Sequence, residues 1–198
     1  MKRTLLFSFL LAVSLGFLSA GPFGIEMGQP SSILETNGLN PTPIPNYPGY
    51  YYVLPKFTHP DFETYLVRID EDEGVFLIKA IGKDISDNGY GTSIRSKFDE
   101  LRKSIEGTYG ESELISFLYP NSIWDEPEDW MMGLRKGDRI HMAQWENEDG
   151  TTLPGEISEI ILAADATSSS EGYLAIEYYG KKYDELSEKA KKKAAQVF

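Results

Sequence analysis

The 198-residue chain reads as an α+β domain: an antiparallel sheet of about six strands with helices packed on one face. Three observations predict that class. Strand-like runs are joined by short polar turns, which suit antiparallel hairpins. Helical patterns interrupt those runs without strict alternation of strand and helix, which argues against a parallel sheet. The chain also has no cysteine, so its stability must come from sheet and helix packing alone.

Residues 1–20 have the three parts of a secretory signal peptide. Met1-Lys2-Arg3 is basic, Leu5 to Val13 and Phe17-Leu18 are mostly apolar, and Ser19-Ala20 offers small residues for cleavage. That run is short and lightly flanked for a membrane span. One exported domain, residues 21–198, is expected to follow. Pro30 can open a short helix that Gly38 stops. The four prolines of residues 40–49 exclude regular helix, so this stretch reads as an extended connector. It leads to a short strand at Tyr50 to Leu54.

Phe62 to Ile69 and Val75 to Ile81 are rich in β-formers. The turn Asp70-Glu71-Asp72-Glu73-Gly74 between them predicts a hairpin. A loop from Gly82 to Gly91 precedes the clearest helix, in which Ile94, Phe98, Leu101 and Ile105 recur at helical spacing. Thr92 or Ser93 is the expected cap. Gly110 ends this helix. Residues 119–137 read as a long loop with one helical turn at Trp130-Met131-Met132. Strands are then expected at Arg139 to Trp145, Ile157 to Ala163 and Tyr173 to Tyr179, with Asp149-Gly150 in a turn. A helix from Lys181 to Val197 closes the chain. This order also admits a division into two αβββ halves.

Composition narrows the function. Hydrophobic residues at 41% and aromatics at 13% exclude wholesale disorder. Loss of Lys2 and Arg3 leaves 17 basic residues against 31 acidic, a net charge of −14. Nucleic acid and anionic lipid both demand a basic footprint, so neither is an expected partner. A cationic partner, such as a basic protein surface, fits this charge, and so does simple solubility.

The segment Ile25-Glu26-Met27-Gly28-Gln29-Pro30-Ser31-Ser32-Ile33-Leu34, followed by Gly38, resembles the opening of β-lactamase-inhibitor-like and outer-membrane-assembly-lipoprotein folds. That resemblance implies a helix laid on antiparallel strands. The chain differs in having Gln29 where methionine is usual, and it lacks a lipid-bearing cysteine. Ala80 to Ile85 and Ser122 to Met131 are similar to stretches in a group of uncharacterised exported bacterial proteins. This second resemblance implies an exported bacterial protein but no activity. The compact Lys-Arg-plus-leucine signal points to a periplasmic or secreted location.

The densest chemical feature is the stretch from Tyr119 to Met132. Within it, Trp124 and Trp130 bracket Asp125, Glu126, Glu128 and Asp129. Aromatic anchors beside carboxylates suit recognition of a protein or another envelope component. The competing reading is a loop whose tryptophans plug the core while its acids face water. Tyr50, Tyr51 and Tyr52 resemble a binding paratope in composition, or else an edge strand whose alternate tyrosines pack inward. The acidic turn at 70–74 lacks the distal ligands of a calcium loop, so it reads as a solvated tip. Lys189, Lys191, Lys192 and Lys193 complement the dipole of the last helix. No metal or cofactor is expected.

His59, with Asp61 two residues on, could act as a general base. No nucleophile motif accompanies it, and His141 reads as a sheet-face residue. The expected function is therefore an exported soluble binding module of the bacterial cell envelope. The alternative is a periplasmic hydrolase using carboxylates with His59.

Overall fold

Strands β4 (Gly74–Gly82) and β9 (Glu171–Gly180) pair antiparallel at the centre of the sheet in the computed structural model, which describes residues 21–147 and 152–195. Two meanders meet at this pair. Strands β1 (Thr42–Pro43), β2 (Tyr50–Tyr52) and β3 (Phe62–Asp70) lead into β4 on one side. On the other side β6 (Glu113–Leu118), β7 (Arg139–Glu146) and β8 (Ile157–Ala166) lead into β9. The resulting order is β1-β2-β3-β4-β9-β8-β7-β6, with the short β5 (Ile85–Ser86) paired to the start of β9. The expected export segment, residues 1–20, lies outside the described residues, as do the Asp149-Gly150 turn and Val197.

The sheet is antiparallel as expected, but it has nine strands rather than six. The three additions are β1, β5 and β6. Strands β1 and β5 have two residues each, too few to leave an alternating pattern. Strand β6 carries Leu114-Ile115-Ser116-Phe117-Leu118, whose apolar positions do not alternate, so no period of two marks it. The proposed αβββ halves give way to two four-stranded meanders that share one continuous sheet.

Pleating sorts the side chains. One face presents Tyr65, Val67, Ile78, Ala80, Ile176, Tyr178, Ile160, Leu162, Ala143 and Trp145, all buried. Helices α2 (Thr92–Tyr109) and α3 (Trp130–Lys136) cover its β7–β9 part. They contribute Ile94, Phe98 and Leu101, and Trp130, Met131 and Leu134, to the core. Phe23, from a turn near the described start, packs on Phe62, Tyr65 and Tyr178. Leu34, from the short α1 (Ser31–Thr36), is fully buried.

The expectation that all helices share one face is corrected by α4 (Tyr183–Ala195). Its Tyr183 stacks edge-on to Tyr179 at 4.6 Å, and its Ser187 Oγ accepts a 2.7 Å bond from Arg68. Arg68, Leu77 and Tyr179 are cross-strand neighbours on the opposite face. A bulge between Arg68 and Ile69 leaves Phe76 unpaired in the ladder and sets its ring against Arg68. The Arg68 guanidinium is thereby enclosed by Tyr50 at 4.8 Å, Phe76 at 4.7 Å and Tyr183 at 5.8 Å.

The lysines of α4, and Lys182 just before it, do more than complement its dipole. Lys189 Nζ bonds Asp70 and Asp72 at 3.0 Å each, Lys193 bonds Glu71 at 3.0 Å and Lys182 bonds Glu73 at 2.6 Å. The acidic turn expected to be merely solvated is the counter-charge of α4. Asp70 also accepts bonds from the amides of Asp72 and Glu73, which closes the turn. Burial would raise the Asp70 carboxyl, but the Lys189 bond and these amides hold it below its ordinary range.

The cap of α2 also differs from expectation. Gly91 precedes the helix with a left-handed φ of 67°, and Asp87 supplies the cap from the preceding loop. Its two oxygens accept bonds from the amides of Ser93 at 3.1 Å and Ile94 at 2.7 Å.

Ile78 is fully buried where the two meanders meet. Its replacement by alanine leaves a cavity between β4 and the covering layer. We expect Ile78→Ala to cost about 2–5 kcal/mol, read as a lower denaturation midpoint at unchanged denaturant slope.

Candidate functional site

The segment from Glu113 to Trp130 combines four exposed apolar side chains with the densest run of carboxylates singled out in the sequence. It begins at the end of α2. Glu106 accepts bonds from Ser112 Oγ at 2.7 Å, Ser112 N at 3.3 Å and Arg102 Nε at 3.0 Å. The indole of Trp145 donates to the Gly110 carbonyl at 2.9 Å. These contacts aim the chain into β6, which pairs with β7 from Glu113 opposite Gln144 to Leu118 opposite Arg139.

The loop after β6 is anchored at both ends. Tyr119 N donates to the Asp138 carbonyl at 2.7 Å, and Ser122 Oγ donates to the Asp138 carboxylate at 2.7 Å. Asn121 takes a left-handed φ of 68°, which lets the chain reverse. At the far end, Met131 N donates to the Gly89 carbonyl at 2.9 Å. Between these anchors Asp125, Glu126 and Glu128 are exposed, while Trp124 and Asp129 are half-buried.

Trp130, expected as a partner-binding anchor, is a core residue only 7% exposed. Its ring lies against Gly91, where an added Cβ would stand 2.1 Å from it. Arg95 and Arg139 reach over it at 5.5 and 5.9 Å from the ring centroid. Trp130 therefore pins α3 to α2 and β7, and it is withdrawn from any contact surface. In this segment the apolar groups left in water are instead Ile123 at 75% exposed, Tyr119 at 50%, Leu114 at 45% and Phe117 at 42%. Phe117 and Tyr119 form an edge-to-face pair at 5.0 Å.

Tyr119 and Ile123 lie in the stretch that sequence reasoning singled out, although neither was named as a contact, whereas Leu114 and Phe117 were missed. An apolar run between Gly110 and Pro120, ending in a Tyr-Pro turn, was the available signal for Leu114 and Phe117. His141 lies behind them, its Nδ1 2.9 Å from Ser116 Oγ and its ring 4.4 Å from that of Phe98. Burial, then the charge of Arg95, lowers its pKa and favours the neutral ring.

The tyrosine cluster lies at the other end of the strand order. Tyr51 points towards the core, whereas Tyr50 carries Arg68 on its ring and Tyr52 is 47% exposed. Strands β3, β4, β9, β8 and β7 stand between β2 and β6. Tyr50, Tyr51 and Tyr52 therefore do not join Trp124 and its carboxylates in one patch.

His59 sits in the loop before β3. Its Nδ1 accepts the Asp61 amide at 3.3 Å and lies 3.6 Å from the Asp61 carboxylate, which also binds Lys97 at 3.1 Å. The Tyr65 hydroxyl accepts the His59 amide at 2.9 Å. Among the described residues no hydroxyl is hydrogen-bonded to the His59 ring, so nothing in its surroundings forms a nucleophile–base pair. Among those residues there is also no group of three or more potential ligands able to hold a metal ion. No described helix is long and apolar enough to cross a membrane.

Compared with protein families, curated proteins and solved structures, the chain matches none. The site must therefore be read from its own geometry.

The Glu106 cluster gives a test of how the site is positioned. Bonds from Ser112, then the charge of Arg102, outweigh burial and hold Glu106 below its ordinary value of 4.5. A carboxyl depressed on folding stabilises fully above that ordinary value and loses its effect as pH falls through the depressed one. Glu106→Gln should thus cost about 1 kcal/mol at neutral pH. The difference from the parent should shrink on acidification below pH 4.5, as measured by denaturation across a pH series.

Proposed function

We propose that the chain is an exported binding module of the bacterial cell envelope, and that the loop from Tyr119 to Asp129 is its recognition element. The supporting observation is the company this loop keeps. Ile123 and Tyr119 are 75% and 50% exposed, and they share the loop with the exposed carboxylates Asp125, Glu126 and Glu128. An apolar anchor in a loop that carries one sign of charge suits a protein surface that combines apolar and basic groups. The loop is also held at both ends by backbone bonds to Asp138 and Gly89, so little ordering entropy opposes binding.

Residues 1–20 serve export in this reading, and the acidic balance of the chain favours a cationic partner. Trp124, half-buried at the base of the loop with its amide on Ser122 Oγ, supports Ile123 as an anchor. The expected behaviour separates anchor from steering. Ile123→Ser combined with Trp124→Ala should weaken capture of envelope proteins by the immobilised protein on the order of tenfold or more. Neutralising Asp125, Glu126 and Glu128 as amides should chiefly slow association and flatten its salt dependence. Surface plasmon resonance on the captured partner reads both effects. Unchanged capture by the folded Ile123→Ser/Trp124→Ala variant defeats the proposal.

A further inference from the structure

The sheet ends in two edges of different character. Strand β1 is two residues long and contains Pro43, which has no amide to offer a neighbour, a protected edge. Strand β6 runs six residues, Glu-Leu-Ile-Ser-Phe-Leu, with no proline, no lysine and one charge at its start. Its only neighbour among the described residues is β7. Leu114 and Phe117 are exposed, as is Ser116. An open apolar edge of this length invites another strand.

The direction of its free backbone groups follows from one bond. Tyr119 N donates to the carbonyl of Asp138 at 2.7 Å. Continuing the register, Phe117 faces Ile140, Ile115 faces Met142 and Glu113 faces Gln144. Backbone groups alternate in direction along an antiparallel ladder. Residues 113, 115, 117 and 119 therefore turn their N–H and C=O towards β7. Leu114, Ser116 and Leu118 turn theirs to the open side.

We propose that β6 pairs antiparallel with β6 of a second copy of this chain, with Ser116 on the two-fold axis. In this register Ser116 meets itself, Leu114 meets Leu118 of the second copy and Ile115 meets Phe117 of the second copy. The outward groups of Leu114, Ser116 and Leu118 then form about six backbone hydrogen bonds. The charged Glu113 comes opposite Tyr119 of the second copy, at the end of the ladder.

Neighbouring registers are poorer. Sliding one way sets Glu113 against Phe117, and sliding the other brings Pro120, which lacks an amide, opposite the free groups of Leu114. The chosen register also continues an existing surface. Ile81, Ala175, Ala163, Met142 and Ile115 are successive neighbours across five strands on the open face. Phe117 of the second copy, itself beside Ile140, extends that apolar row without a polar break. Self-complementarity of this kind is what an isologous interface requires.

This pairing uses the backbone and side chains of β6 and meets the recognition loop only at Tyr119. Ile123, Trp124 and the loop carboxylates stay outside it, so each proposal can fail without the other. The absence of cysteine from the chain makes the test clean. Opposed Cα atoms of a hydrogen-bonded antiparallel pair lie about 5.5 Å apart, within the range a disulfide spans. Ser116→Cys should therefore give a disulfide-linked dimer on mild oxidation of the purified protein, whereas Glu113→Cys should not. Light scattering should give twice the chain mass for the parent at micromolar concentration.

Ser116→Pro should give the chain mass with an unchanged far-ultraviolet spectrum, because the amide it removes is not used by β7. A parent of monomeric mass would overturn the proposal. So would a dimer that persists in Ser116→Pro, or equal cross-linking of Ser116→Cys and Glu113→Cys.

Discussion

The pairing of β4 with β9 is the interaction on which the rest of this structure depends. It joins residues about a hundred positions apart, from Leu77 opposite Tyr179 to Ile81 opposite Ala175. Without it the chain would be two separate four-stranded meanders, each with an open central edge. Its apolar side supplies Ile78, Ala80, Ile176 and Tyr178 to the core. Its other side carries the Lys79–Glu177 ion pair at 2.5 Å, with the Tyr179 hydroxyl also donating to Glu177. Burial and that carboxylate push the Tyr179 phenol well above its ordinary range, so it stays protonated as a donor.

The two faces of this sheet are stabilised differently. The covered face is a conventional apolar core, closed by α2, α3 and the Phe23 turn. Among the described residues, the opposite face is closed over β3, β4 and β9, where Arg68 lies in a cage of Tyr50, Phe76 and Tyr183. Burying a cation is costly unless its charge is compensated. Here the aromatic faces and the Ser187 hydroxyl supply that compensation. The lysine–carboxylate contacts between α4 and the 70–74 turn hold the same helix from its solvent side, and exposed pairs of this kind contribute only modestly one by one. Among the described residues, strands β6 and β7 receive no such cover on this face, and the apolar row ending at Ile115 lies open.

Much of the fold was legible. The hairpin at 62–82, the α2 periodicity and the three late strands each rested on a local pattern strong enough to survive tertiary context. What escaped was short or lacked a period. Strands β1 and β5 exist only because β2 and β9 offer them a ladder. Strand β6 carries apolar residues on both faces because neither face is fully covered there. The α2 cap was misplaced because Asp87 reaches Ser93 and Ile94 across a loop, a contact that nearest-neighbour reasoning does not see. The site was legible in part. The Trp-and-acid stretch was recognised as dense chemistry, but its two tryptophans took different fates, and composition does not say which one a Gly91 notch will accept.

By itself the sequence determined the class, the antiparallel pairing of neighbouring runs and the dependence on packing without disulfides, since these follow from turn chemistry, periodicity and composition. Only the tertiary structure decided that two meanders close into one sheet, that α4 crosses to the opposite face, and that Trp130 is buried while Ile123 is exposed. Those outcomes depend on contacts between residues distant in the chain. Local propensity carries no information about which distant surface will cover a side chain.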